Sequence, residues 1–177
     1  MSLARLRALV IVGVLVVCAA VLVTVAIVKD GSGDVLTENC PAGKVPVDLR
    51  MPEDAKNVKV VVHNASDSAR ITGQVAEEFR SRKVTVVDVK NDPTTKRLEG
   101  VAMLRYGPKA VGSAWLVRAY FLNEAKMEFD VNRKDDVIDV FIGKQFLQLG
   151  TMTEVHQALA AVGSPRLPEG TCDANAP

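Results

Sequence analysis

Histidine, cysteine and aromatic residues are scarce in this chain, and each scarcity narrows what it can be. Of 177 residues, two are His, three Cys, one Trp and two Tyr. Two histidines, His63 and His156, leave few candidates for a histidine base and argue against a histidine-rich metal centre. A phosphate-cradling G-x-x-x-x-G-K loop is also missing, because Gly143-Lys144 has no glycine at the required upstream position, and no G-x-G-x-x-G follows a strand. No G-x-S-x-G elbow surrounds Gly112-Ser113 or Gly163-Ser164. The acidic group Asp135, Asp136 and Asp139 does not match a calcium loop and reads as solvated carboxylates near a turn. These gaps point away from nucleotide binding, from a cofactor and from a metal site.

An excess of positive charge is absent too. Of 22 basic residues, Arg5, Arg7 and Lys29 lie at or before position 29, so the remainder carries 19 against 21 acidic residues. A faintly acidic domain lacks the clustered Lys and Arg that follow a nucleic-acid backbone. The run Arg80, Arg82 and Lys83 reads as charge complementing the negative end of a helix.

What the chain does have is one long apolar run. Ala8 to Val28 contains no charge over about 21 residues, enough to cross a hydrocarbon core of roughly 30 Å. Arg5 and Arg7 before it favour a cytoplasmic N-terminus, which sends the rest of the chain outside. A cleaved signal peptide is the competing reading, but the run exceeds an ordinary h-region and no clean A-x-A site follows. A lipoprotein reading would use Cys18, yet Val16 and Val17 are not the small residues such a site needs. The expected organisation is therefore a cytoplasmic N-terminus (1–7), a transmembrane helix (8–28), a tether with an extended segment (29–56), one domain (57–163) and a C-terminal tail (164–177). The localisation that follows is a plasma membrane, single pass, with the domain extracytoplasmic.

In an exported domain Cys40 and Cys172 are the only thiols left, and one disulfide is the simplest pairing. It predicts Cα atoms within about 7 Å and a tail tied back to the start of the domain. A tether of about eleven residues from Lys29 to Cys40 reaches at most about 40 Å from the membrane.

The domain reads as α/β (α+β), with the folded core beginning near Asn57. Val58, Val60 and Val62 alternate with Lys59, Val61 and His63 as an interior strand. Ile71, Val75 and Phe79 follow at helical spacing, with Asp67 or Ser68 placed to cap that helix. Strands are expected over 84–89 and 101–106, separated by a loop at Asn91-Asp92-Pro93. A second helix starts at Gly107-Pro108, with Val111, Trp115, Ala119 and Leu122 forming the stripe that packs on the sheet. Met127, Phe129 and Val131 mark a half-buried strand, and 136–142 is apolar enough to be central. Thr151-Met152-Thr153-Glu154 has the form of a capping box, and Gly163-Ser164-Pro165 ends the helix it opens. The order β-α-β-β-α-β-β-α implies a mixed sheet with helices on at least one face.

Several short motifs then converge. Val60-Val61-Val62-His63-Asn64-Ala65-Ser66 is a strand entering an Asn-small-Ser turn; Gly73 and Val75-Ala76 follow in the helix and 84–89 in the next strand. Leu104-Arg105-Tyr106-Gly107-Pro108 ends a strand before the second helix, and Ile142-Gly143-Lys144-Gln145-Phe146 closes with Gly-x-x-Phe. In this order, from about Asn57 to Phe146, the chain resembles the LytR C-terminal domain family of actinobacterial and related envelope proteins. It departs from the family at Ala65, where Gly is usual, and at Lys144-Gln145, where an acidic residue before Phe is common. Full-length LytR-type enzymes carry a phosphotransferase domain between anchor and module, for which there is no room here. The resemblance thus implies a stand-alone, non-enzymatic module supporting the cell envelope. Its partners would be the membrane and either a cell-wall glycan or an envelope-assembly protein, with Asn64, Ser66 and Arg105 as candidate binding residues. The rival is an envelope hydrolase or transferase using Glu128 and Asp130 as acid and base; a structural subunit of a membrane complex is a third reading.

Overall fold

A computed structural model describes residues 40–91 and 96–176. The anchor expected over 8–28, the start of the tether and residues 92–95 of the expected loop lie outside the described residues. Among the described residues no helix is long and apolar enough to cross a membrane.

Among the described residues there are seven strands and three α-helices: β1 Val45–Val47, β2 Lys59–Asn64, α1 Ile71–Ser81, β3 Thr85–Lys90, β4 Ala102–Tyr106, α2 Val111–Tyr120, β5 Lys126–Phe129, β6 Val137–Ile142, α3 Met152–Val162 and β7 Thr171–Asp173. Five strands build one mixed sheet in the order β3-β2-β6-β4-β5. β2 runs parallel to β3 and β6, while β4 is antiparallel to β6 and parallel to β5. Parallel neighbours cannot be joined by a tight hairpin, so α1 carries the chain from β2 to β3 and α2 carries it from β4 to β5. The most apolar strand, β6, is the central one, and β2 is interior as its valines suggested.

Alternation sorts the sheet into two faces. Val60 and Val62, Leu104, and Ile138, Val140 and Ile142 are fully buried and pack with Val75, Ala76 and Phe79 of α1 and with Val111, Ala114 and Val117 of α2. The layer of helices lies on that face. The opposite face carries Lys59, Val61 and His63 of β2, Val137, Asp139 and Phe141 of β6, Met103 and Arg105 of β4, and Lys126 and Glu128 of β5.

Two local expectations are corrected. Neither Asp67 nor Ser68 caps α1: Arg70 holds the cap position and no side chain caps the helix. Asp67 instead reaches Arg97 at 3.4 Å and Lys144 at 3.7 Å, and the Ser68 N–H donates to Ser66 Oγ. Trp115 is buried, but not in the core on the sheet. Its indole N–H donates to the Gly163 carbonyl at 3.1 Å, so the ring lies toward the end of α3, and the Arg118 guanidinium sits 5.5 Å from the ring centroid. The sheet-facing stripe of α2 runs through Val111, Ala114 and Val117, whereas Leu122 is beyond the helix, exposed and at positive φ. The capping box at Thr151 is present in full, and Gly163 ends α3 at φ +67°.

The folded part also starts earlier and ends later than expected. β1, inside the segment read as tether and extended chain (29–56), pairs in parallel with β7, inside the segment read as tail (164–177). Val47 is fully buried, and Pro46 is accommodated because this sheet has only two strands. Beyond β1, the Asp48 N–H donates to the Pro108 carbonyl and the Gly112 N–H to the Asp48 carbonyl. The approach is so close that a side chain on Gly112 would run into the Arg50 carbonyl. Three-residue strands rich in turn formers carry almost no periodicity, which is why their pairing was invisible in the sequence. Cys40 and Cys172 are joined in a disulfide beside these strands, with Cα atoms 5.8 Å apart.

Candidate functional site

The motif at the end of β2 is a structural lock. Asn64 and Ser66 are buried, and Asn64 Oδ1 accepts from both the backbone N–H and the hydroxyl of Ser66, each at 3.0 Å. Asn64 Nδ2 donates to the Ser68 carbonyl at 2.9 Å. Short polar side chains bonding to nearby backbone in this way build turns. Ala65 is fully buried between Ile142, whose carbonyl accepts its N–H, and Leu98, whose N–H donates to its carbonyl. Asn64 and Ser66, expected as binding residues, are therefore committed to the turn. The Gly-x-x-Phe ending has a similar physical account. A side chain on Gly143 would collide with the Gly100 carbonyl, and Phe146 packs its ring against Phe121 at 5.8 Å.

Arg105 lies elsewhere, on the sheet face away from the helices. Its Nε donates to Glu128 Oε1 at 2.9 Å, and its guanidinium sits 5.2 Å from the centre of the Phe141 ring. His63 stacks on that same ring, with centroids 4.5 Å apart, and its Nε2 is 2.9 Å from Asp139 Oδ1. The other oxygen of Asp139 accepts from Arg133 Nη1 at 2.5 Å, and Arg133 Nε donates to Asp135 at 2.8 Å. Register explains the assembly: His63 is opposite Phe141, and Arg105 is opposite Asp139. The sequence shows that His63, Asp139 and Phe141 each share a face with their own strand neighbours. It does not show which strands are adjacent, and Arg133 comes from a turn with no periodicity at all.

Burial by itself would raise the Asp139 carboxyl, but the hydrogen bonds from His63 and Arg133 outweigh it and hold the group below the usual carboxylate range. A carboxylate depressed in the folded state contributes stability that is complete above its unfolded value, near pH 4, and is lost as pH falls through the folded value. Asp139→Asn is accordingly expected to lower stability by about 1 to 3 kcal/mol at neutral pH. The gap from the parent should close below about pH 4 in urea titrations; an undiminished gap there would remove Asp139 as the source.

The other groups weighed as reactive are all placed. Glu128 is bound to Arg105, while Asp130 lies beyond the end of β5 and its side chain accepts from the Asn132 N–H. His156 is exposed on α3, and Ser113 is in the first turn of α2. Asp136 pairs with Lys59 at 2.9 Å and Lys144 with Glu99 at 2.7 Å. In the basic run, Arg80 pairs with Glu77, and Arg82 donates to the Gly150 carbonyl and lies over the Tyr120 ring. Among the described residues there is no group of three or more His, Cys, Asp or Glu side chains arranged to hold a metal ion.

Comparison with known proteins adds three findings. Residues 57–146 match the family model described as LytR cell envelope-related transcriptional attenuator. No curated protein sequence matches the chain. Among solved structures, the soluble domain of a conserved hypothetical secreted protein from Mycobacterium marinum is similar, with 23% identity and a TM-score of 0.52 over 75% of this chain and 82% of that one. At that identity the likeness speaks for the fold.

Proposed function

This chain belongs to the LytR C-terminal domain family, and on that premise we propose that it is a non-enzymatic, extracytoplasmic module of the cell envelope, held at the membrane by 8–28, that binds a wall glycan or an envelope-assembly protein. The observation that carries the reading is the sheet face left free by the helices. Its charged groups, Arg105 with Glu128 and His63 with Asp139 and Arg133, neutralise one another around Phe141. Such a face offers directional donors and acceptors to a partner, and none of its members is a nucleophile with an adjacent base. The arrangement of an anchor leading directly to the module resembles the actinobacterial envelope integrity protein Cei, and the similar Mycobacterium marinum domain is described as secreted, which agrees with export.

Deleting the gene is expected to raise sensitivity to wall-directed antibiotics and detergents, with rescue requiring both the anchor and the folded domain. If His63, Glu128, Asp130 or His156 alone abolished rescue while abundance and folding held, the enzyme reading would replace this one. Full rescue by a domain released without 8–28 would remove membrane proximity from the mechanism.

A further inference from the structure

Apart from the sheet face, the domain has a half-open groove of about 620 Å³ whose walls come from four separate parts of the chain. Arg50, Met51, Pro52 and Glu53 follow β1, Asn57 precedes β2, Lys109 lies in the 3-10 turn just before α2 and Ser113 in its first turn, and Asp136 precedes β6. The volume is in the range of small-ligand sites. The walls are held by backbone bonds, since the segment after β1 is pinned to Pro108 and Gly112, and Asp48 also accepts from Asn175 Nδ2 at 2.9 Å.

The polar groups of this groove fall into two sets. Asp48 is spent on Arg50, and Asp136 on Lys59. Glu53, Lys109, Asn57 and Ser113 make no side-chain hydrogen bond or ion pair among the described residues. Residues carrying one carboxylate, one ammonium, one amide and one hydroxyl thus line the same space. A purely anionic or purely cationic ligand would meet one matching and one opposing free charge. A sugar would find no aromatic ring to stack on, since Met51 and Pro52 are the apolar members of the lining. The complement of this set is a ligand that carries both charges.

We propose that the groove binds a small zwitterion of the amino-acid or short-peptide class, with Glu53 receiving the ammonium group and Lys109 the carboxylate. Asn57 and Ser113 supply hydrogen bonds to the atoms between. The proposal does not depend on the envelope reading, and it is tested on purified protein.

The full-length chain in detergent micelles would be titrated by calorimetry with alanine, with the dipeptide Ala-Ala, and with Ala-Ala blocked by N-acetylation or by C-amidation. Saturable binding of Ala-Ala is expected, weakened about tenfold or more by either block, as the loss of a charge-assisted hydrogen bond implies. Glu53→Gln should weaken every form with a free amine and leave N-acetyl-Ala-Ala unchanged. Lys109→Met should weaken every form with a free carboxylate and leave the amide unchanged. Neither side chain makes a hydrogen bond or ion pair among the described residues, so thermal unfolding should be the same in both variants. Alanine binding as tightly as Ala-Ala would identify a free amino acid as the ligand class, and a preference for Ala-Ala a peptide. No saturation by alanine or Ala-Ala up to about 10 mM, or variants that bind all four probes like the parent, would overturn the assignment.

Discussion

Phe79→Ala is expected to lower the stability of the domain by about 3 to 5 kcal/mol, the cost of emptying a large aromatic site in a packed core. Phe79 is fully buried, and its ring meets Tyr120 edge-on at 5.9 Å and Phe121 at 6.2 Å. Phe121 in turn meets Phe146, so this ring ties α1 to the end of α2 and to the segment after β6. The two rings that meet Phe79 edge to face, with Phe146 behind Phe121, cannot collapse smoothly into the space it leaves. The backbone at Phe79 also closes the helix, because its carbonyl accepts from the N–H groups of Arg82 and Val84. Urea unfolding measures the loss. A cost under about 1 kcal/mol would mean that the cluster relaxes around the gap.

Removing the disulfide should come next in size. The bridge spans 132 residues, and in the chain-closure picture a loop that long restricts the unfolded state by about 5 kcal/mol, an upper figure because measured bridges often deliver less. The double variant Cys40→Ala with Cys172→Ala is expected to melt several degrees or more below the parent. Reductant should bring the parent down to the variant while leaving the variant where it is. A parent insensitive to reductant, in a sample shown to be fully reduced, would mean that β1, β7 and their contacts hold the ends together without help.

How much of this was visible in the residues alone depends on range. β2 is legible because Val60 and Val62 repeat with period two, β6 because the run over 136–142 is apolar enough for a central strand, and α3 because Thr151 and Glu154 stand at cap spacing. Trp115 was assigned to the wrong neighbours because a helical stripe gives a direction only to within about one residue, here the difference between the sheet and the end of α3. The site was less legible than the fold. Arg105 was singled out and does lie on the free face, but its companions His63, Asp139 and Arg133 arrive from two strands and a turn whose adjacency is a property of the sheet. The Asn64-Ala65-Ser66 pattern is distinctive in the sequence, and in the structure its side chains build the turn.

The pairing of β1 with β7 has a further consequence for how the molecule is made. The ribosome delivers Cys40 132 residues ahead of Cys172, so β1 waits for the five-stranded sheet and its helices before it has a partner. A chain stopped short of Thr171 would display an unpaired strand edge and a free thiol, both of them signals that proteases and thiol oxidoreductases can recognise. The arrival of β7 is thereby recorded in the protein's own chemistry: a molecule that has it hides β1, and one that lacks it advertises the edge.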